Sequence, residues 1–90
     1  MEKTDEELVL ACRQGDDEAW SLLVARYQRL LYAIPRRAGL DEDAAADILQ
    51  RTFLKMLENL EQIKKPAQIH AWLVTTARRE TLHFLRQRQK

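Results

Sequence analysis

The sequence predicts an all-α protein, a compact bundle of about four helices. Only two glycines and two prolines occur in 90 residues, so few positions interrupt regular structure. Apolar residues recur every three to four positions along most of the chain, which is the spacing of one helix face. No segment alternates like a half-buried strand, and no Asn-Gly or Asp-Gly pair marks a hairpin. A chain of this length supplies one small core and not a second.

Two helix starts are predicted near the N-terminus. Thr4 and Glu7 have the spacing of a capping box, in which each side chain accepts a hydrogen bond from the backbone N–H of the other residue. The short helix that follows is predicted to end at Gly15, and Asp16 is predicted to cap a longer second helix. The broad apolar face of this second helix consists of Trp20, Leu23, Val24, Tyr27, Leu30, Leu31 and Ile34.

The second helix is predicted to kink or end near Pro35, because proline lacks a backbone donor and clashes with the preceding turn. Gly39 closes this segment. Asp41 is predicted to cap a third helix, whose first acids complement the positive end of the helix dipole. The predicted inner side of the third helix is Leu49, Phe53, Met56 and Leu60, which leaves Asp47, Gln50, Arg51, Lys55 and Glu58 largely outside.

A polar connector at residues 61–65 leads to a fourth helix. Pro66 suits the first helical position, where an N–H group would lack a helical partner anyway. The apolar side of this helix is Ile69, Trp72, Leu73, Ala77 and Phe84. We expect Trp20, Phe53 and Phe84 to be core residues and Trp72 to be either core or half-buried.

The formal net charge of +1 hides a strong separation of charge along the chain. Residues 1–18 and 41–63 carry net charges of −5 and −4, whereas residues 19–40 and 64–90 carry +4 and +6. The last segment has seven Lys or Arg residues against one Glu. An acidic helix suits a basic protein partner, and a basic terminal segment suits the phosphates of a nucleic acid.

The single cysteine, Cys12, excludes an internal disulfide, and a reducing compartment is the simplest expectation. No Cys/His spacing is typical of a metal site, so we expect neither a metal nor a cofactor. The N-terminal residues are acidic and lack an apolar stretch of signal-peptide length, and no window approaches the roughly 18 apolar residues of a membrane span. We therefore expect a soluble, cytoplasmic protein that does not contact a membrane.

Several short motifs follow one another in a specific order. They are Gly15-Asp16, Ala25-Arg26-Tyr27, the run from Asp47 to Leu54, Ala71-Trp72-Leu73 and Ala77-Arg78. Over roughly residues 5–88, this order resembles region 2 of bacterial sigma-70-type sigma factors, most closely the extracytoplasmic-function (ECF) group. The most specific part is the Asp-x-x-Gln-x-x-Phe helix with Ala-Trp-Leu at the expected distance.

The resemblance implies two partners. In that family this domain docks on the clamp helices of the beta-prime subunit of core RNA polymerase. It also recognises the promoter minus-ten element and takes a base of the non-template strand out of the stack. Asp47, Gln50 and Arg51 match the polymerase contact, and helical spacing places Leu54 on the same outer stripe as Asp47 and Gln50. The resemblance also admits an anti-sigma factor as a partner.

The connector and the start of the fourth helix match the element that captures the extruded base. Melted DNA also needs a track of cations and flat faces on which bases stack. The candidate DNA-binding residues supply cations, polar groups and one indole ring: Lys64, Lys65, Gln68, His70, Trp72, Arg78, Arg79, His83 and Arg86.

Two departures from the family pattern concern these surfaces. Arg51 stands where family members commonly have Glu, which reverses a charge on the polymerase face and suggests a shifted docking pair. In the fourth helix, family members commonly have Ala-Arg-Asn and a later Asp, whereas this chain has Arg79 and His83. These differences bear on phosphate attraction and base preference.

Two other functional classes compete with this interpretation. An enzyme is disfavoured, because His70 and His83 lie roughly 220° apart around one helix and no nucleophile motif or Gly-rich phosphate loop occurs. A helical adaptor that binds only protein stays open; its acidic helix would be a solvated face, and residues 86–90 a solubilising end. Binding to single-stranded minus-ten DNA separates the adaptor from the sigma domain.

The whole chain, residues 1–90, is interpreted as one region 2 domain. Full-length ECF factors also carry a C-terminal helix-turn-helix domain, region 4, which contacts the minus-thirty-five element. No such segment is present in these residues. We therefore expect either an excised domain or a truncated protein.

Overall fold

A computed structural model describes residues 2–88, and these residues contain helices and turns but no strand. Their principal extents are 43 × 24 × 19 Å. The α-helices are α1 (Asp5–Arg13), α2 (Asp17–Arg37), α3 (Glu42–Glu58) and α4 (Ile69–Arg88), with 3-10 turns at Leu60–Gln62 and Pro66–Gln68. The prediction of an all-α bundle is confirmed. Residues 89 and 90 of the predicted solubilising end lie outside the described residues.

The predicted helix starts are confirmed by their capping hydrogen bonds. Glu7 N–H donates to the Thr4 hydroxyl at 3.1 Å, and Thr4 N–H donates to the Glu7 carboxylate at 3.0 Å. This second bond lowers the pKa of Glu7. Asp16 and Asp41 each accept a hydrogen bond from the backbone N–H three residues later, at 3.1 and 2.8 Å. The fourth helix was predicted to start at Pro66, but Pro66 begins a 3-10 turn and α4 itself starts three residues later, at Ile69.

Helix α2 continues two residues past Pro35, which is buried inside its last turn. The chain turns at Gly39, whose φ of +94° is accessible to glycine at little cost. This turn lets the N–H of Leu40 donate to the carbonyl of Pro35 at 3.1 Å. Helix α2 therefore ends at the turn that Gly39 makes. Pro35 indicated only the approximate position of this end.

The core lies where the four helices meet, but the buried face of α2 is narrower than predicted. Its buried residues follow one row spaced four apart: Ala19, Leu23, Tyr27, Leu31 and Pro35. Such a row winds around the helix, so Leu30, about 100° from Leu31, lies outside it. Leu30, which was predicted to belong to the apolar face, is 38% exposed.

The aromatic residues divide between the core and its edge. Phe53 is buried and packs edge-on against Trp20 of α2, with ring centroids 6.1 Å apart. Trp20, Trp72 and Phe84 are half-buried. Trp72 thus falls within the predicted range, and Trp20 packs against the core from its edge. Phe84 is only half-buried, so the prediction that it is a core residue was wrong.

Four buried polar residues were not predicted: Thr52, Thr76, Glu80 and Thr81. The three threonine hydroxyls donate to the carbonyl four residues earlier in their own helix, at 2.7 to 2.8 Å. Their polar groups are therefore satisfied locally, which permits burial. Within residues 2–88, every buried side-chain nitrogen and oxygen has a hydrogen-bond partner. Within the same range, no helix combines the length and apolar character that crossing a bilayer requires.

Candidate functional site

An open groove runs between α3 and α4. Four side chains of α4 that lie within about 60° of one another form much of one wall. Helix α3 forms the opposite wall with two long cations. The principal lining residues are Arg51 and Lys55 from α3, and Trp72, Arg79, His83 and Arg86 from α4.

The groove continues past Trp72 and Arg79 onto the segment between α3 and α4. From here on, the connector means this whole segment, residues 59–68, which includes the predicted residues 61–65. Trp72 and Arg79 also line a second depression, which joins the two parts into one surface. We call the combined surface the basic groove. Its connector part is lined by Ile63, Lys64, Lys65 and Gln68.

Charge in the larger part of the groove is unbalanced. Among its lining residues the structure shows four Lys or Arg side chains and one acid, Glu80. The Glu80 carboxylate lies 3.4 Å from the ammonium of Lys55. The Glu80 side chain is 11% exposed and that of Lys55 is 51% exposed, so the acid lies at the floor and the cation reaches solvent. The Lys55 ammonium keeps further donors for a ligand.

Seven of the nine candidate DNA-binding residues line the basic groove, and two lie elsewhere. Arg78 is exposed and lies about 100° around α4 from Arg79, off the groove wall. His70 packs against Tyr27 of α2, with ring centroids 5.7 Å apart. It lies about 180° around α4 from Arg79, on the other side of the helix.

Tyr27, which contacts His70, belongs to a hydrogen-bond network that joins α1 to α2. The Tyr27 hydroxyl donates to the Asp5 carboxylate, which also accepts a hydrogen bond from Arg26 at 2.7 Å. Burial, and then the hydrogen bond to Asp5, raise the pKa of Tyr27. The same carboxylate raises the pKa of Arg26. These contacts join α1 to α2 and disfavour ionisation of the Tyr27 hydroxyl.

The outer face of α3 carries the residues expected to contact polymerase. Asp47 forms an ion pair with Arg51 at 3.2 Å, with both side chains about half exposed. Gln50 and Leu54 border an apolar cleft, and Leu54 is 51% exposed. The rest of this cleft is formed mainly by Trp20, Val24, Leu49 and Phe53. Arg51 thus lies between two surfaces, bonded to Asp47 on one side and lining the basic groove on the other.

The connector is held by a residue that the sequence did not single out. Arg13, the last residue of α1, donates from Nε to the carbonyl of Leu60 at 3.0 Å. A terminal guanidinium nitrogen donates to the carbonyl of Ile63 at 2.5 Å. These contacts span 47 and 50 residues, so no local pattern predicts them. Lys55 was likewise missed as a groove residue, although its place on the outer side of α3 was predicted.

Comparison with known proteins identifies relatives of this chain. Residues 23–90 match the family described as Sigma-70 region 2. The chain is 30% identical over 82 residues to the ECF RNA polymerase sigma-E factor of Haemophilus influenzae, covering 91% of this chain and 43% of that protein. It is 29% identical over 82 residues to the ECF RNA polymerase sigma-E factors of Salmonella typhimurium and Escherichia coli, covering 91% of this chain and 42% of each. The chain thus spans less than half the length of these relatives.

Proposed function

The chain belongs to the sigma-70 region 2 family, and on this premise we propose that it acts as a sigma factor domain in transcription initiation. It docks on the beta-prime clamp helices of core RNA polymerase and binds the non-template strand of a melted minus-ten element. The observation that carries the proposal is the continuous basic groove, in which one indole ring lies among four Lys or Arg side chains. The proposed role is binding and strand separation, and no covalent chemistry is involved.

The groove offers separate places for bases and for phosphates. Trp72 is half-buried where the two parts of the groove meet, so one face can stack on an extruded base. Arg79, Arg86 and Lys55 carry charges along the two walls, where they can follow a phosphate backbone. The acid at the floor, Glu80, disfavours a phosphate at that depth and therefore favours a strand with its bases turned inward.

The connector is the part of the groove suited to base selection. Lys64, Lys65 and Gln68 present donors and an acceptor at one end, next to Trp72. Contacts to base edges specify sequence, whereas contacts to phosphates position the strand. We therefore assign base preference to the connector and most of the affinity to the cations of the two helices.

The outer face of α3 suits a helical protein partner. Asp47 and Gln50 offer acceptors one turn apart, and Leu54 projects beside the apolar cleft. A partner helix can cover the cleft with an apolar side chain while it pairs with the acceptors. This surface and the basic groove are neighbouring stripes of α3 that adjoin at Arg51, so the two ligands would bind side by side.

The DNA proposal is tested by selection. Core RNA polymerase carrying this chain is incubated with single-stranded oligonucleotides randomised over the minus-ten region, and the bound pool is sequenced. We expect enrichment of particular bases, loss of this enrichment when Gln68→Ala is used, and weaker binding of all sequences when Trp72→Ala is used. A chain that binds polymerase but enriches no bases would instead be an adaptor that binds only protein.

The docking proposal is tested by replacing Asp47, since it is half-exposed and, among residues 2–88, pairs with Arg51. We expect Asp47→Ala to weaken binding to a beta-prime clamp-helix fragment by about 1.5 to 3 kcal/mol, roughly 10- to 150-fold in Kd. Glu42→Ala removes the same charge about 140° around the helix and is the matched control. Equal affinities of the wild-type chain and Asp47→Ala, both folded by circular dichroism, would exclude Asp47 from the interface.

A further inference from the structure

The guanidinium of Arg13 joins the end of α1 to the connector by two hydrogen bonds. It donates to two carbonyls of the connector, those of Leu60 and Ile63. Both bonds are partly buried, and charged donors form the stronger class of hydrogen bond. The side chain is occupied by these carbonyls and does not line the basic groove.

These two bonds fix the backbone that precedes the groove residues. A carbonyl and the following N–H share one rigid peptide plane. When Arg13 holds the carbonyl of Ile63, it therefore also sets the direction in which the chain enters Lys64. The Ile63 side chain is buried in the core, so the connector is held from its backbone and from its side chain at the same residue. Lys64 and Lys65, the next two residues, line the groove.

We propose that Arg13 is a positioning residue for base selection. It does not touch DNA; it holds the connector in the conformation in which Lys64, Lys65 and Gln68 meet an extruded base. This inference rests on the proposed function, because it assigns base preference to the connector. The inference adds that base preference depends on Arg13 of α1, a residue that does not line the groove in which the strand is proposed to lie.

The proposal separates discrimination between bases from the salt dependence of affinity. A general loss of structure would change both quantities together. Loosening the connector lowers discrimination between bases, since polar contacts select a ligand only when they are held in place. It leaves the dependence of affinity on salt unchanged, because no phosphate contact is removed.

The experiment compares Arg13→Lys and Arg13→Gln with the wild-type chain, each bound to core RNA polymerase. The probes are the minus-ten strand selected by the wild-type complex and the same strand with one base changed. A mismatch at a base that is recognised costs roughly 5- to 150-fold in affinity, and we expect both variants to lower this ratio by about threefold or more. Arg13→Lys keeps the charge but loses the planar fork that reaches two carbonyls, so its salt dependence should equal that of the wild type.

Arg26→Gln is the matched control. Arg26 also makes two long-range contacts, to the Asp5 carboxylate and to the carbonyl of Lys3 at 2.9 Å, but it contacts no part of the connector. It should leave the discrimination ratio unchanged. An equal fall in Arg26→Gln would show that loosening α1 is sufficient and would overturn the specific role of Arg13.

Unchanged discrimination in both Arg13 variants, with a lower melting temperature, would also overturn the proposal and leave Arg13 a purely structural residue. A wild-type complex that shows no base preference would fail at an earlier step, because the proposed function itself would then be wrong. If Arg13→Gln does not fold, the discrimination ratio of Arg13→Lys alone still tests the proposal.

Discussion

Two neighbouring arginines on α4 provide a direct test of where the DNA strand lies. Arg79 lines the basic groove, whereas Arg78 is exposed about 100° away around the helix. Arg79→Gln and Arg78→Gln remove the same charge from adjacent positions of one helix. The two variants therefore have the same net charge and differ in the direction of the lost side chain.

The expected difference follows from counterion release. Each phosphate contact on a single strand contributes about 0.7 to the slope of log affinity against log salt. Between 50 and 200 mM salt, a fourfold change, one contact therefore corresponds to about 2.6-fold in affinity. We expect Arg79→Gln to lower the slope by about 0.7. Arg78→Gln should hardly change it, since Arg78 does not line the groove and has no phosphate contact there to lose.

The assay is a salt titration of fluorescence anisotropy with a labelled minus-ten strand and core RNA polymerase carrying each variant. Thermal unfolding of each variant checks that the helix is intact. Equal slopes for the two variants, or a larger loss in Arg78→Gln, would contradict the placement of the strand in the basic groove. The strand would then lie on the Arg78 side of α4.

Two further predictions concern the core and the floor of the groove. Phe53→Ala should destabilise the protein by roughly 3 to 5 kcal/mol, because a buried ring and its contact with Trp20 are lost; this predicts a fall in melting temperature of at least about 12 °C. Phe84→Ala, at a half-buried ring, should cost less, and equal shifts would contradict the assigned core. Glu80→Gln removes the mostly buried acid at the floor of the groove and frees Lys55 from its ion pair, so binding of single strands should tighten at low salt by at least the roughly 1.4- to 5-fold that corresponds to a solvent-exposed charge pair. Weaker binding in anisotropy titrations would mean that the carboxylate itself contacts the strand or holds Lys55 for it.

Local signals made most of the fold predictable. A capping residue bonds to an N–H three positions away, so Thr4, Asp16 and Asp41 could be identified without knowledge of the tertiary structure. Leu30 shows where this reasoning fails. Helical periodicity gives the apolar side of α2, but the row that is buried depends on the angle at which its neighbours cross it, which the sequence of α2 does not contain.

The candidate site was predictable only in part for the same reason. The sequence identified the fourth helix as basic. Which of its cations line the same wall of the basic groove depends on which face of the helix packs against the core. That face includes Thr76 and Glu80, whose polarity argues for exposure. Arg13 could not be predicted at all, because its contacts join segments 47 and 50 residues apart.

The threonine hydroxyls that bond within their own helices bear on how this fold opens in solution. In α4, the donor and acceptor of each such bond move together, so the bonds of Thr76 and Thr81 persist when the helix separates from its neighbours. The contacts of Arg13 and Lys55 join different elements and are broken by the same separation. Transient opening thus costs apolar and charged contacts between elements while α4 keeps its internal hydrogen bonds. In hydrogen exchange, the amides of the connector should lose protection before those in the middle of α4.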